Sequence, residues 1–209
     1  ARHDILRIGN TVVDAAHRAG SLPGTDVEVT SGRRLVLLTV HRRENWGGPL
    51  LAVCRALRAA GARVPDVEVL LPVHPNPLVR EPVLEALAGV DRIRIVDPLD
   101  HPTLLGHLSR ATLVLTDSGG IQEEAPTFGV PVLVLRETTE RPEAIEAGCA
   151  ELVGTDPQVI EDRAVTLLTD EGARQAMATV ANPYGDGRSG ERSVAAFRWL
   201  LGLGPAPVP

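Results

Sequence analysis

The sequence contains no lysine and very few aromatic residues, and the shortage of aromatic residues argues against one class of partner. All 21 basic residues among the 209 are arginines, and arginine is the cation best suited to bidentate contacts with phosphate. Aromatic side chains make up only 2% of the chain, and the formal net charge is -6. A nucleic-acid binder needs a basic face and usually aromatic platforms for stacking, so we expect no nucleic-acid partner.

Cysteines and long apolar runs are scarce as well. The two cysteines, Cys54 and Cys149, are far apart and in no metal-ligand spacing. We therefore interpret them as reduced thiols of a cytoplasmic protein, and we expect neither a metal nor a cofactor. No apolar run approaches membrane-spanning length and no signal peptide is visible, so a membrane partner is not expected. Because the chain starts at Ala1, inside a predicted helix, we expect it to be part of something longer.

Short apolar runs alternate along the chain with stretches of helical spacing. Such continuous runs are typical of strands covered on both faces, as in parallel sheets. Strands that alternate with helices form βαβ units. We therefore predict an α/β fold with a Rossmann-like parallel sheet of about six strands and helices on both faces. The predicted strands are 35–40, 67–71, 93–96, 113–116, 132–135 and 151–153.

Helices are predicted at both ends of the chain. The first covers residues 9–17 and is ended by the turn residues Ser21–Gly24. A polar, turn-rich linker follows as far as residue 34. The last helix is predicted from Ser189 to Leu203, with apolar residues on one face.

We divide the chain into three parts on this basis. Residues 1–33 are a hinge helix and linker, residues 34–188 are the main domain, and residues 189–209 are a C-terminal helix and tail. Within the main domain, Pro126 is expected to interrupt the helix that contains it and to bend it, because proline removes a backbone hydrogen bond. Gly129 is expected to end that helix.

The segment Ser118-Gly119-Gly120 connects the fourth predicted strand to a helix. Free N–H groups and the dipole at such a helix start favour negative charge, and glycines leave the amides unobstructed. Glu124 lies four residues past Gly120 on the same helix face, where its carboxylate could accept hydrogen bonds from a sugar diol. The segment thus suggests a nucleotide diphosphate site, although an ordinary strand–helix turn would also explain it.

Polar loops follow five of the predicted strands. The carboxyl ends of parallel strands lie at one edge of a sheet, and ligands of open α/β sheets bind there. Five polar loops at one edge favour a binding site over an ordinary turn. These loops are His41–Glu44, His74–Asn76, Asp97–Asp100, Ser118–Gly120 and Arg136–Arg141.

Long motifs give these loops a family resemblance. The motifs that carry the resemblance, in this order and spacing, are TVHRREN, PVHPNPLVREPV, TDSGGIQEEAPTFGVPVLVLRETTERPE and NPYGDGRSGER. Through these motifs the chain resembles the non-hydrolysing UDP-N-acetylglucosamine 2-epimerases. The resemblance runs almost end to end and implies the C-terminal half of a GT-B fold, with UDP-sugar in the cleft between two domains. It also implies that an N-terminal domain is absent here and that residues 189–209 pack back toward it.

The resemblance implies roles only where residues match. Ser118, Gly119 and Gly120 would bind the diphosphate, and Glu124 would hold the ribose hydroxyls. The guanidinium of Arg141 would contact the phosphates of the same nucleotide.

His41 is the catalytic residue that the resemblance implies. It would sit beside the diphosphate, where an imidazole can donate a hydrogen bond or move a proton. The family's acid–base carboxylates belong to the N-terminal domain. The reaction inverts C2 of UDP-N-acetylglucosamine (UDP-GlcNAc) to give UDP-N-acetylmannosamine, by elimination and re-addition of UDP.

A second ligand site and two departures complete the comparison with the family. Some bacterial members bind another UDP-GlcNAc molecule as an activator, and Arg42, Glu44 and His74 match positions of that allosteric site. Leu99 and Leu104 stand where the family often has a glutamine and an aromatic residue near the uracil. Backbone contacts would have to replace those two side chains.

Three alternative functions stay open at this stage. The chain could be half of a hydrolysing epimerase, half of a GT-B glycosyltransferase, or a stand-alone nucleotide-sugar binding module. As partners we expect UDP-GlcNAc or UDP, the absent N-terminal domain, and a second copy in a homodimer. We expect the 209-residue chain to be inactive by itself. The remaining histidines, His3, His17, His101 and His107, are interpreted as structural or surface residues.

Overall fold

The computed structural model describes residues 5–20 and 29–206, and a sheet of parallel strands lies at its centre. The strands are β1 (Arg34–Thr39), β2 (Val67–Pro72), β3 (Ile93–Val96), β4 (Ala111–Thr116), β5 (Val132–Val134) and β6 (Ala150–Leu152). Their order is β3-β2-β1-β4-β5-β6, and every neighbouring pair is parallel. The predicted Rossmann-like sheet is therefore confirmed. Strand order reverses between β1 and β4, the place where such sheets bind ligands.

Helices cover both faces of this sheet, as predicted. In the described ranges they are α1 (Thr11–Ala19), α2 (Gly48–Arg63), α3 (Pro77–Ala86), α4 (His101–Arg110), α5 (Gly119–Glu124), α6 (Pro142–Ala147), α7 (Pro157–Thr169), α8 (Glu171–Ala178) and α9 (Ser189–Leu200). Short 3-10 turns lie at Arg43–Asn45 and Ala125–Phe128.

The alternation of side chains along β1 creates two separate cores. Val36 and Leu38 pack into a core with α2, α3 and α7. Leu35 and Leu37, on the opposite face, pack into a core with α1, α4 and α5. All four side chains are buried, and burying one such side chain stabilises the fold by about 1.5–3 kcal/mol. The continuous apolar run thus reflects a strand that is covered on both faces.

Helix α1 packs onto the main domain and contacts α4, α5 and α9. Asn10 caps its N-terminus by accepting a hydrogen bond from the backbone N–H of Val12 at 3.0 Å. The Asp14 carboxylate accepts hydrogen bonds from the backbone N–H groups of Ser189 and Gly190, at 3.1 and 2.8 Å. A carboxylate at a helix start is favourable for the helix dipole, so α1 and the start of α9 are joined.

Several predicted boundaries need correction or fall outside the described residues. Ser21–Gly24 and most of the predicted linker lie outside the described ranges. The helix is interrupted at Pro126, as predicted, but not by a bend: α5 ends at Glu124, and the chain continues as a 3-10 turn. Proline has no N–H to donate, so a tighter turn replaces the α-helix. Gly129 ends this turn with φ at 65°, as predicted, and α9 stops at Leu200 instead of Leu203.

Candidate functional site

The ends of β1 and β4 lie side by side at the carboxyl edge of the sheet. Thr39 and Thr116 are paired in the register of the two strands. Their hydroxyl oxygens lie 2.6 Å apart and are buried. The two loops that carry the predicted phosphate and catalytic residues therefore start next to each other.

Asp117 is the centre of the polar contacts at this edge. Its side chain has no exposed surface. The carboxylate accepts hydrogen bonds from the backbone N–H of Arg42 at 3.0 Å, the backbone N–H of His41 at 3.2 Å, and Nδ2 of Asn45 at 2.9 Å. A buried carboxylate needs several such donors. Asp117 therefore holds the loop after β1 against the end of β4.

The same carboxylate orients the imidazole of His41. Nδ1 of His41 lies 3.2 Å from Oδ1 of Asp117, and the histidine side chain is 55% exposed. Because Nδ1 is directed at the carboxylate, Nε2 is the ring nitrogen available to a ligand. A carboxylate that fixes the ring and its tautomer is a common way to prepare a histidine for proton transfer.

The Ser118–Gly120 segment is open on its outer side. Ser118 is the N-cap of α5, and its backbone N–H donates to Oγ1 of Thr116 at 2.9 Å. A Cβ atom on Gly119 would meet nothing within 4 Å, and one on Gly120 would meet only Oγ of Ser118, at 3.8 Å. Neither glycine has a positive φ. Since packing and backbone conformation do not require them, their effect is to leave the amides accessible.

Glu124 is the last residue of α5, and His101 contacts it. Nε2 of His101 lies 2.7 Å from Oε1 of Glu124, whose side chain is only 8% exposed. The sequence predicts a structural or surface role for His101, and its side chain is 55% exposed, but the contact with a predicted site residue was not expected. His107 is buried, as expected for a structural residue, and His3 lies outside the described residues.

Arg141 precedes α6 and points toward α5. Its Nε donates to Oε1 of Glu123, and Oε2 of Glu123 accepts a hydrogen bond from Nδ2 of Asn10 at 3.1 Å. The backbone N–H of Arg141 donates to Oγ1 of Thr139 at 3.0 Å. Glu123 thus links the predicted phosphate-binding arginine to the start of α1, a connection that the sequence pattern did not indicate.

Gln122 connects the Ser118–Gly120 segment to the loop that carries Arg141. The Gln122 side chain is buried. Its Nε2 donates to the backbone oxygen of Ser118 at 3.0 Å, and its Oε1 accepts from Oγ1 of Thr139 at 2.6 Å. The two predicted phosphate-binding elements are therefore held together by one buried amide.

A family model described as UDP-N-acetylglucosamine 2-epimerase matches residues 1–198 of the chain. The chain belongs to this epimerase family. A curated relative from Yersinia pestis, named UDP-N-acetylglucosamine 2-epimerase, is 43% identical over 205 residues, which cover 93% of this chain and 54% of that protein. The chain therefore spans about half the length of the curated relatives that it matches.

Solved structures agree with this family membership. An S. aureus MnaA–UDP co-structure is 37% identical with a TM-score of 0.86, and the match covers 97% of this chain and 57% of that one. A Neisseria meningitidis UDP-GlcNAc 2-epimerase bound to UDP-GlcNAc is 33% identical with a TM-score of 0.80, covering 94% of this chain and 55% of that one. A glycosyltransferase, WaaG, shares the fold at 17% identity and a TM-score of 0.59.

The three candidate allosteric positions of this epimerase-family chain fall into two groups. Nη1 of Arg42 lies 3.6 Å from Oε1 of Glu44, and Nη2 of Arg42 lies 3.6 Å from Oε2 of Glu140. His74 instead packs against Trp46, with ring centroids 5.5 Å apart and planes tilted by 45°. The structure thus joins Arg42 and Glu44, while His74 follows the neighbouring strand β2.

An apolar cavity of about 250 Å³ lies beside His41 in this family member. Leu99 and Leu104, the two departures from the family pattern, both line it. An occupant would meet mostly apolar side chains, apart from Thr39 and the two histidines. The lining residues are Thr39, Val40, His41, Pro72, His74, Pro98, Leu99 and Leu104.

The remaining sequence expectations concern metals, membranes and thiols. Among residues 5–20 and 29–206, no group of three or more histidine, cysteine or acidic residues could hold a metal ion. In that same part of the chain, no helix has both the length and the apolar character needed to cross a membrane. Cys54 and Cys149 are free and buried, and burial raises the pKa of the Cys54 thiol to about 11.

Proposed function

We propose that this chain is the UDP-binding, C-terminal half of an enzyme that interconverts UDP-GlcNAc and UDP-N-acetylmannosamine. One observation carries the proposal. Asp117, whose carboxylate lies 3.2 Å from Nδ1 of His41, directly precedes the accessible Ser118–Gly120 segment at the point where strand order reverses. A titratable imidazole beside a site for a diphosphate is what a reaction with UDP as leaving group requires.

The reaction proceeds by elimination and re-addition. C2 of the sugar carries no acidifying carbonyl, so simple deprotonation there is difficult. A base removes the C2 proton while the bond from C1 to the phosphate oxygen breaks, which leaves a glycal and UDP. A phosphate oxygen of UDP then attacks C1, and a proton returns to the other face of C2. UDP must therefore leave the sugar and remain bound.

The residues of this chain serve the UDP part of that reaction. The Ser118 hydroxyl, the Gly119 and Gly120 amides and Arg141 would bind the diphosphate and stabilise the charge that develops as the bond breaks. They would also keep UDP close for re-addition. Nε and Nη1 of Arg141 each donate one hydrogen bond within the protein, and further guanidinium N–H groups would contact a phosphate. Nε2 of His41 would donate a hydrogen bond or a proton at the departing phosphate, and Glu124 would accept hydrogen bonds from the ribose.

The other half of the cleft would come from an N-terminal domain. This is supported by the coverage of about half of each relative. Exposed apolar residues on α9 also suit burial against another domain: Val194, Phe197 and Leu200 are 60%, 67% and 68% exposed. We propose the domain division 1–33, 34–188 and 189–209 on this basis. Because the acid–base carboxylates would lie in the other half, the 209-residue chain would be inactive alone.

The proposal also includes an allosteric site, a homodimer and a cytoplasmic location. Arg42, Glu44 and His74 would contact a second UDP-GlcNAc as activator, and the Arg42–Glu44 contact supports a shared role for that pair. A homodimer is proposed from the family resemblance, and light scattering of the full-length protein tests it. A cytoplasmic location is supported by the free, buried thiols of Cys54 and Cys149.

Binding of UDP to the chain tests the proposed site. Calorimetry should show UDP binding, and Gly119→Leu should abolish it because a side chain there would cover the amides. Gly61→Leu is a matched control, since a Cβ at either helical glycine meets nothing within 4 Å. Equal UDP binding by the wild type and Gly119→Leu would contradict the proposed diphosphate site.

Product analysis with the full-length protein separates the alternatives. The epimerase converts UDP-GlcNAc to UDP-N-acetylmannosamine with no net release of UDP, which nuclear magnetic resonance detects directly. A hydrolysing epimerase would release UDP and free sugar, and a glycosyltransferase would need an acceptor. A binding module would bind UDP-GlcNAc without turnover.

A further inference from the structure

We propose that His101 is a positioning residue that fixes the carboxylate of Glu124 for a ribose diol. The inference rests on the proposed function, because it assumes that Glu124 faces the ribose of a bound nucleotide. It goes further by assigning a role to a histidine that the sequence patterns left aside. It also makes the discrimination between ribose and deoxyribose depend on that histidine.

The contact between His101 and Glu124 joins two helices, α4 and α5, which follow different strands of the sheet. His101 is the first residue of α4, whose N-cap Asp100 accepts a hydrogen bond from the backbone N–H of Thr103 at 2.9 Å. The capped helix start holds the backbone of His101 in place. Nε2 of His101 lies 2.7 Å from Oε1 of Glu124 at the end of α5. The imidazole therefore reaches from the start of α4, the helix after β3, to the end of α5, the helix after β4.

Glu124 is much more buried than His101, and this difference indicates which of the two side chains depends on the contact. The Glu124 side chain is 8% exposed, whereas that of His101 is 55% exposed. A carboxylate that is this buried is costly without a hydrogen-bond donor. A half-exposed histidine loses little by remaining solvated instead. The contact thus matters more to the carboxylate than to the imidazole.

The hydrogen bond restricts a flexible side chain before any ligand arrives. Glutamate has several rotatable bonds, and ordering such a side chain on binding weakens affinity. His101 occupies one lone pair of Oε1, so Oε2 and the second lone pair of Oε1 remain for the two ribose hydroxyls. A ligand that binds the prepared carboxylate loses less entropy. A ligand that lacks the 2′-hydroxyl gains less from this preparation.

A histidine that competes with the ribose for Glu124 would have the opposite effect on nucleotide affinity from one that positions Glu124. If His101 competed with the ribose for Glu124, its removal would free the carboxylate and tighten nucleotide binding. A positioning histidine should instead weaken binding when it is removed. The direction of the change in affinity therefore decides between the two roles.

Calorimetry of the chain with three ligands provides the test. UDP presents both ribose hydroxyls, 2′-deoxy-UDP lacks one, and inorganic pyrophosphate reports on the Ser118–Gly120 segment alone. The variants are His101→Leu, which has no donor, and His101→Gln, which keeps a side-chain N–H of similar reach. Ser109→Ala is the matched control, because Ser109 is an exposed residue at the other end of α4.

We expect His101→Leu to weaken UDP binding about threefold to tenfold, as for one side chain that must be ordered on binding. The preference for UDP over 2′-deoxy-UDP should fall by a similar factor, while pyrophosphate affinity stays the same. His101→Gln should restore most of the preference, and Ser109→Ala should behave as the wild type. Thermal melts of all variants check folding.

Three outcomes would overturn the inference while the proposed nucleotide site stands. They are unchanged UDP affinity in His101→Leu, tighter UDP binding in that variant, and equal weakening for all three ligands, which indicates a structural effect. If wild-type chain binds pyrophosphate but discriminates UDP from 2′-deoxy-UDP no better than His101→Leu does, the positioning role also fails. Absence of UDP binding by the wild type would instead contradict the proposed function and the inference together.

Discussion

The buried carboxylate of Asp117 lies 3.2 Å from Nδ1 of His41 and also accepts the backbone N–H of the same histidine. One acidic side chain thus sets both the path of the loop and the orientation of the ring. The two residues are 76 positions apart, and they meet because β1 and β4 are neighbours in the sheet. Because Asp117 orients His41, a substitution of Asp117 also tests the proposed catalytic role of His41.

Asp117→Asn should lower both stability and activity. The amide keeps the size of the side chain, but one acceptor oxygen becomes a donor that faces other donors. We expect the free energy of unfolding of the chain to fall by about 2–4 kcal/mol, within the range for breaking a buried charged network. Urea denaturation measures this effect. Asp91→Asn, at an exposed position, is the control, and equal stability of the two variants would contradict the central role of Asp117.

His41→Asn should affect kcat more than KM in the full-length enzyme. Asparagine keeps a hydrogen-bond donor but removes the titratable proton. Loss of a proton-transfer group lowers kcat by about 100-fold or more, whereas a group that matters chiefly in the transition state has less effect on substrate binding. Steady-state kinetics with UDP-GlcNAc provide the measurement. Near-normal kcat with a raised KM would mean that His41 only binds.

Glu124→Ala should weaken the binding of UDP. Its carboxylate lies one turn past the accessible amides, and loss of hydrogen bonds to a charged group costs about 1.5–3 kcal/mol. Calorimetry with the chain measures the change, and Glu146→Ala on α6 serves as a control for a lost carboxylate. Unchanged UDP affinity in Glu124→Ala would remove this residue from the site.

His107 should make the fold less stable in mild acid. Burial lowers the pKa of this imidazole, the charge of Arg94 lowers it further, and the nearby Glu68 carboxylate opposes the change. Below the unfolded pKa, near 6.5, the unfolded chain binds a proton that the folded chain resists, so stability falls as pH decreases. His107→Leu should reduce the difference in unfolding free energy between pH about 7.5 and about 5.5.

The comparison needs a buried residue of the same helix that does not titrate. Leu108→Ala also removes buried packing from α4 but changes no titratable group, so it should leave the pH dependence as in the wild type. Denaturation curves at the two pH values give the result for both variants. If His107→Leu and the wild type lose equal stability on acidification, another group is responsible.

Local patterns in the sequence determined the strands, the fold class and the accessible Ser118–Gly120 segment. Each apolar run reports burial of its own strand on both faces, and a helix start needs only a few neighbouring residues. Motifs of the family added the identity of the candidate ligand residues. The interruption at Pro126 was predicted correctly but the bend was wrong, because a proline indicates a missing N–H without specifying whether the helix bends or tightens.

Only the tertiary structure decided which polar groups meet. Asp117 contacts His41 across 76 positions, Glu123 contacts Asn10 across 113, and His101 contacts Glu124 from another helix. Such pairs have no periodicity along the chain, because strand order and helix packing bring them together. Burial then makes each pairing necessary, since a polar group that is removed from water must find its partner within the fold.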